Sequence, residues 1–194
     1  KGVADGPYII IRSSAISELP WGKRVRPADK PKMATIINGF PGYNPMYSAQ
    51  GAAFYRFEGI EFTVRANEGQ INMIQFGTLV NGGVGDNLVS QLPHHIIFDR
   101  CYLHGLPRTN GPSRAILANM GQLEVSNSWV EDIKNRNTES QAIGGWNSIG
   151  PFYFLNNRIS ASSITTLFGG AVPVIKGIRA TGLFYRGNHY YRPW

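Results

Sequence analysis

A right-handed parallel β-helix is the fold this sequence predicts, on three observations: a strand–turn–strand pattern that recurs five times, a second strand family in phase with it, and a turn-rich composition. The recurring pattern is an alternating apolar strand, broken by a polar or glycine pair and then resumed, at residues 55–62, 96–103, 123–130, 153–159 and 183–190. With Ile60, Cys101, Ser128, Asn157 and Asn188 as one column, the intervals are 41, 27, 29 and 31 residues, so a coil takes about thirty. The second family, at 71–77, 114–119, 141–146 and 165–170, keeps the same beat. One coil cannot bury its own apolar face, so coils in phase must stack, with backbone hydrogen bonds along the axis and inward residues in a continuous core. Asn127, Asn157 and Asn188 stand at or beside the turns, where asparagine tolerates left-handed backbone and ladders with its equivalents in adjacent coils. A β-sandwich also builds short strands separated by turns, but it needs no shared phase and shows tighter hairpin signals than this chain offers.

The composition agrees. With 42% hydrophobic and only 16% charged residues the chain is an ordered globular protein, and 23 Gly with 12 Pro imply many turns and few long helices. One domain, 1–194, is expected, with a glycine-rich loop insertion near 78–92 thrown out from the stack. No apolar run is long enough for a membrane span and no signal-peptide core stands at the start, while strand-like residues 8–11 and the aromatic residues 190–194 suggest a piece cut from a longer chain. The excess of 19 Lys and Arg over 12 Asp and Glu makes an acidic polymer a fitting partner. Because the basic residues are scattered and no recognition motif is present, nucleic acid is not the expected one. The single cysteine, Cys101, excludes an intrachain disulfide and reads as a small buried hydrophobe.

Several segments carry a more specific likeness: residues 97–105 (Ile-Phe-Asp-Arg-Cys-Tyr-Leu-His-Gly), 140–147 (Ser-Gln-Ala-Ile-Gly-Gly-Trp-Asn), Gly150-Pro151-Phe152, Asn156-Asn157, Phe168-Gly169-Gly170, 26–34 and 186–190. In these the chain resembles the right-handed β-helix proteins of the pectate-lyase-like superfamily, in particular an uncharacterised secreted bacterial group. The resemblance implies the fold and an extracellular location; it implies less about activity, because that superfamily includes lyases, hydrolases, epimerases and inert adhesive stalks. The chain departs from the group at residues 162–167, where an acidic residue and an asparagine would precede Phe168-Gly169-Gly170, and at Ala171-Val172-Pro173, where an aspartate would follow.

Lyases of that superfamily neutralise a uronate carboxylate with basic residues and often calcium, and remove the adjacent ring proton with a base. For the clamp and base the candidates are His104, Arg108 and Arg114 from one coil and Lys134, Arg136 and Gln141 from the next, on loops that follow equivalent strands and so stack on one side. Arginine binds carboxylate bidentately, lysine supplies a point charge, and histidine moves a proton at neutral pH. Arg114, Lys134 and His104 are the expected catalytic set. Trp146, with Asn147 in a glycine-flanked turn, is the best platform for a sugar ring, with Trp21 beside Lys23, Arg24 and Arg26 as a second. Glu131, Asp132 and Glu139 form the only acidic cluster, which reads as a calcium site or, more commonly for such a cluster, as a solvated loop after the Trp129-Val130 strand. His94-His95 reads as a turn pair, since neighbours in an extended chain point to opposite faces and chelate one ion poorly.

Two functions follow as expectations. The first is a secreted module that binds acidic polysaccharide along a lateral groove, with lyase activity as an extension. The second is a non-catalytic structural or adhesive segment of a larger surface protein or filament, open to self-assembly.

Overall fold

The computed structural model describes residues 7–40, 42–65, 72–80, 83–107 and 110–193. Its strands form three parallel sheets that wind through the chain in turn, which is a parallel β-helix. The first sheet stacks Ile9–Arg12, Ala53–Glu58, His94–Asp99, Leu123–Ser126, Phe152–Leu155 and Leu183–Arg186. The second stacks Ala34–Ile37, Ile60–Thr63, Tyr102–His104, Trp129–Glu131, Arg158–Ser160 and His189–Tyr191. The third stacks Met46–Tyr47, Asn72–Phe76, Arg114–Ala118, Gln141–Gly145 and Ile164–Phe168. Three sheets arise where the sequence shows two strand families, because each copy of the first family folds at its polar pair into a strand of the first sheet and a strand of the second.

The fold at that pair is a single left-handed residue, repeated coil after coil: Gly59, Arg100, Asn127, Asn156 and Gly187 have φ of 63°, 52°, 50°, 56° and 65°. Such a residue reverses the side-chain alternation, so that apolar positions on both flanking strands face inward. Asparagine and glycine supply it at low cost; Arg100 is the exception. The next residue in each coil carries the cross-coil ladder. Ser128 Oγ accepts from Cys101 N (3.0 Å), Asn157 Oδ1 from Ser128 N (2.9 Å) and Asn188 Oδ1 from Asn157 N (2.9 Å). These bonds join residues 27, 29 and 31 apart, the intervals read from the sequence. The three asparagines picked out by sequence therefore divide between two columns: Asn127 belongs with Asn156 at the left-handed turn, where Asn156 Nδ2 donates to Asn127 Oδ1 (2.8 Å), and Asn157 and Asn188 belong to the inward ladder.

Inside, Ile96, Leu123 and Phe152 make one column, Phe57, Phe98, Val125 and Phe154 a second, and Phe62, Leu103, Val130 and Ile159 a third. Rings stack along the axis, Phe57 on Phe98 with centroids 5.0 Å apart and Phe154 on Tyr185 at 5.1 Å. Cys101 is wholly buried in this core, and burial pushes its thiol up to about 12. A thiolate is the reactive form, so a thiol-specific reagent is expected to leave native Cys101 unlabelled and to label it fully in denaturant; rapid native labelling would show that the core opens at this coil.

The segment near 78–92 is exposed over residues 87–90 and buried at Asp86 and Leu92. Leu79–Val80 and Gly83–Val84 pair antiparallel, and Val89–Gln91 forms a 3-10 turn. Buried Asp86 closes the segment on Thr78, accepting from its N (2.7 Å) and Oγ1 (2.8 Å), and ties it to other coils by accepting from Gln50 Nε2 (3.0 Å) and, at its carbonyl, from Asn147 Nδ2 (2.9 Å). Residues 81 and 82 of that expectation, and Ile71 of the second strand family, lie outside the described residues.

Residues 13–33 leave the first coil as a strap containing 3-10 turns at Ile16–Glu18 and Pro27–Lys32. The strap lies across the left-handed column, and carbonyls of three successive turn residues accept from it: Asn127 O from Val25 N (3.0 Å), Asn156 O from Arg24 Nε (3.1 Å) and Gly187 O from Arg24 Nη2 (3.0 Å). Leu19, Val25 and Met33 pack under it against Tyr102. A Cβ at Gly59 would come within 2.7 Å of Leu19 Cδ1, so glycine serves there for the close approach as well as the positive φ. Among the described residues no helix is long and apolar enough to cross a membrane.

Candidate functional site

The third sheet carries a polar strip on its outer side. Gln75 Oε1 accepts from Asn44 Nδ2 (3.0 Å) and Asn72 Nδ2 (3.1 Å), Arg114 donates through Nε to Gln141 Oε1 (3.1 Å), and Gln141 Nε2 donates to Glu139 Oε1 (2.6 Å). Asn72, Arg114 and Gln141 are register partners in successive strands, which is why a thirty-residue beat could bring them together. The Arg114 guanidinium lies 5.7 Å from the centre of the Trp146 ring. Arg114 is half-buried; burial holds its guanidinium below the usual arginine value, with the Glu139 charge working the other way. An arginine so held against an aromatic face and two amides is pre-organised, and little further order is lost when an acidic group arrives.

The remaining expected residues divide. Lys134 and Arg136 lie on the loop of 132–140, which stacks on the loop before Arg114 through Gly111 N to Lys134 O (2.8 Å) and Arg136 N to Asn110 Oδ1 (2.8 Å). Arg136 is exposed, while the Lys134 ammonium pairs with Asp132 (2.7 Å). Arg108 lies outside the described residues. Asn147 is not available to a sugar: it is wholly buried, donating through Nδ2 to Asp86 O (2.9 Å) and accepting from Ile175 N (3.1 Å). It looked like a loop-tip amide because sequence does not reveal the segments at 86 and 175 that close over it.

His104 is separated from Arg114 by the turn between the second and third sheets. It is buried on the outer side of the second sheet beneath the strap, with Nε2 2.7 Å from Glu61 Oε1, Nδ1 2.6 Å from Gly105 O, and its ring stacked on Tyr102 at 4.1 Å. Glu61, wholly buried, also takes Lys30 Nζ at 2.8 Å and the Thr35 hydroxyl. Burial works to raise its carboxyl, but the bonds from Lys30, Thr35 and His104, with the His104 charge, outweigh that and hold it below the usual carboxylate range. The expected acidic cluster disperses in the same way: Glu131 accepts from Tyr102 OH (2.7 Å), Asp132 pairs with Lys134, and Glu139 accepts from Gln141. Among the described residues no three His, Cys, Asp or Glu side chains converge as metal ligands, so this trio does not form the calcium site its spacing suggested.

Sequence reasoning missed Glu61 although the signal was present. The step from Ile60 to Cys101 places Glu61 beside Tyr102 in the second sheet, with His104 two residues further along the same outer side. His94 and His95 open the strand His94–Asp99. His95 has φ 53°, and the two Nδ1 atoms lie 2.6 Å apart. Trp21 is 81% exposed with the Arg100 guanidinium 5.1 Å from its ring centre.

The fold defines the chain as a parallel β-helix protein. No family model, curated protein or solved structure matches it.

Proposed function

We propose that this chain is an extracellular β-helix module, of the pectate-lyase-like kind, that binds an acidic polysaccharide along the outer side of the third sheet. The observation that carries the reading is Arg114, fixed between Gln141 and Asn72 and laid against Trp146, in a strip of amides that crosses successive coils. A uronate chain offers what such a strip recognises: repeated carboxylates for the guanidinium that the buried Asn72 and Gln141 hold in place, hydroxyls for the partly exposed Asn44 and Gln75 amides, and an apolar ring face for the indole. Binding is favoured over lyase chemistry because His104, the proton acceptor of the expected set, is engaged with Glu61 on another sheet. A structural or adhesive segment is the second reading. It is favoured by Leu183, Tyr185 and Tyr190, which occupy core-facing register positions yet are 41%, 42% and 39% exposed.

The test is titration with polygalacturonate and alginate oligosaccharides, with and without calcium, read by calorimetry and by ultraviolet absorbance for unsaturated products. Binding without an absorbance rise is expected, weakened at least about tenfold by Arg114→Ala and by Trp146→Ala. Equal binding by both variants would remove the strip from the site. No binding to any uronate, with concentration-dependent association in sedimentation, would move the assignment to the structural reading.

A further inference from the structure

The strap and the second sheet enclose a cleft of about 740 Å³ into which Lys23, Arg24, Arg26, Lys32 and Trp129 project. Two carboxylates, Glu18 and Asp29, share its lining, but Asp29 Oδ2 already accepts from Arg26 N (2.8 Å) as the cap of the 3-10 turn. Among the described residues none of Lys23, Arg24, Arg26 or Lys32 has a carboxylate within ion-pair distance, although ion pairs are formed elsewhere by Arg12, Lys30, Arg56, Arg100 and Lys134. Arg158 adds a fifth cation behind the wall, its guanidinium 4.6 Å from the Trp129 ring centre and 4.9 Å from that of Tyr191. Burial chiefly, and the charge of Arg158 beside it, lower Arg24 from the usual arginine value. Among the described residues Trp129 Nε1 and Arg158 Nε are buried donors without a partner, set behind the cleft wall.

We propose that this cleft is a second binding site, distinct from the third-sheet strip, that takes the sulfate esters of an acidic glycan. Lys23 and Arg26 approach one volume from the strap, and Arg24 and Lys32, held on Asn156 O, Gly187 O and Glu18 O, add positive charge at its wall. That suits a tetrahedral oxyanion, which accepts from many directions, better than a carboxylate, which presents one edge. The cleft volume exceeds that of a single ion and accommodates the sugar that bears it, with the Trp129 ring as an apolar wall.

The test uses Lys23→Gln/Arg26→Gln, since both residues are exposed, whereas Arg24 anchors the strap through Asn156 O and Gly187 O and its loss would confound the result. Calorimetric titrations with a sulfated hexasaccharide, its desulfated uronate counterpart and inorganic sulfate would be run on the whole chain. The sulfated hexasaccharide is expected to bind the native chain most tightly and the double variant roughly tenfold more weakly, whereas Arg114→Ala is expected to weaken the desulfated uronate and to keep the preference for the sulfated sugar. Binding that falls with Arg114→Ala and not with the double variant would overturn the proposal while leaving the third-sheet reading intact. So would a single-stranded oligonucleotide that bound through Lys23 and Arg26 more tightly than the sulfated sugar.

Discussion

Replacing Asn157 with alanine is expected to cost about 3–4 kcal/mol of stability, read as a shift in the urea midpoint at unchanged slope. Asn157 is wholly buried, and its side chain reaches one coil back, accepting from Ser128 N (2.9 Å) and donating to Val125 O (2.7 Å). Alanine orphans both groups in an interior that water does not reach, and each orphan costs roughly 1–3 kcal/mol. The Asn188 side chain makes the same contacts one coil on, to Asn157 N (2.9 Å) and Phe154 O (2.6 Å), but in the partly exposed last coil. Asn188→Ala is therefore expected to cost less than half as much. Asn157→Ser should recover part of the loss, because Ser128 already serves as the rung beneath Cys101. Equal costs at 157 and 188 would mean that the ladder acts through the unfolded chain and not through buried bonds.

The same ladder explains how much of the fold was legible. The period was readable because the residue after each turn is constrained twice, by the left-handed residue before it and by the rung it forms, so Cys101, Ser128, Asn157 and Asn188 stay small or polar while their neighbours are apolar. The first coil was not readable as a copy. The strap intervenes between Ile9–Arg12 and Ala34–Ile37, and local pattern carries no mark that residues 13–33 return to lie on turns as distant as Gly187. Site residues followed the same division. Arg114 and Gln141 could be paired because equivalent positions in consecutive coils become register neighbours. His104 was grouped with them on proximity in sequence, but the chain turns from the second sheet to the third between the two, and three-sheet winding sends their side chains to different faces. Asn147 and the acidic trio failed for another reason: burial by, or bonding to, a segment far along the chain decides whether a polar side chain is free, and a single sequence does not show that.

Acidification is expected to loosen the strap through Glu61, and Glu61→Gln is expected to remove that part of the pH dependence. The folded chain holds the Glu61 carboxyl below its usual range, whereas in the unfolded chain it returns to roughly 4.3. A depressed folded pKa contributes stability that is present above the unfolded value and lost as pH falls through the folded one. The window is thus below about pH 4.5, and the group contributes in full at neutral pH. At pH 7 Glu61→Gln should cost roughly 2–3 kcal/mol, because it removes the counter-charge from Lys30 and a buried acceptor from His104 and Thr35, discounted for the 53% exposure of the Lys30 side chain. Lys30 stands in the 3-10 turn of the strap, so the lost ion pair acts first on the strap and only then on the coils. Hydrogen exchange should accordingly show the Val25 amide, bonded to Asn127 O, deprotected in the variant before the ladder amides of Ser128 and Asn157. Urea midpoints of the native and variant chains that ran parallel from pH 6 to pH 3 would show that Glu61 holds the strap by packing and hydrogen bonding without its charge. A variant curve that is flatter, and meets the native one near the acid end, is the expected result, and it would identify the pairing of Lys30 with Glu61 as what seats the strap on the second sheet.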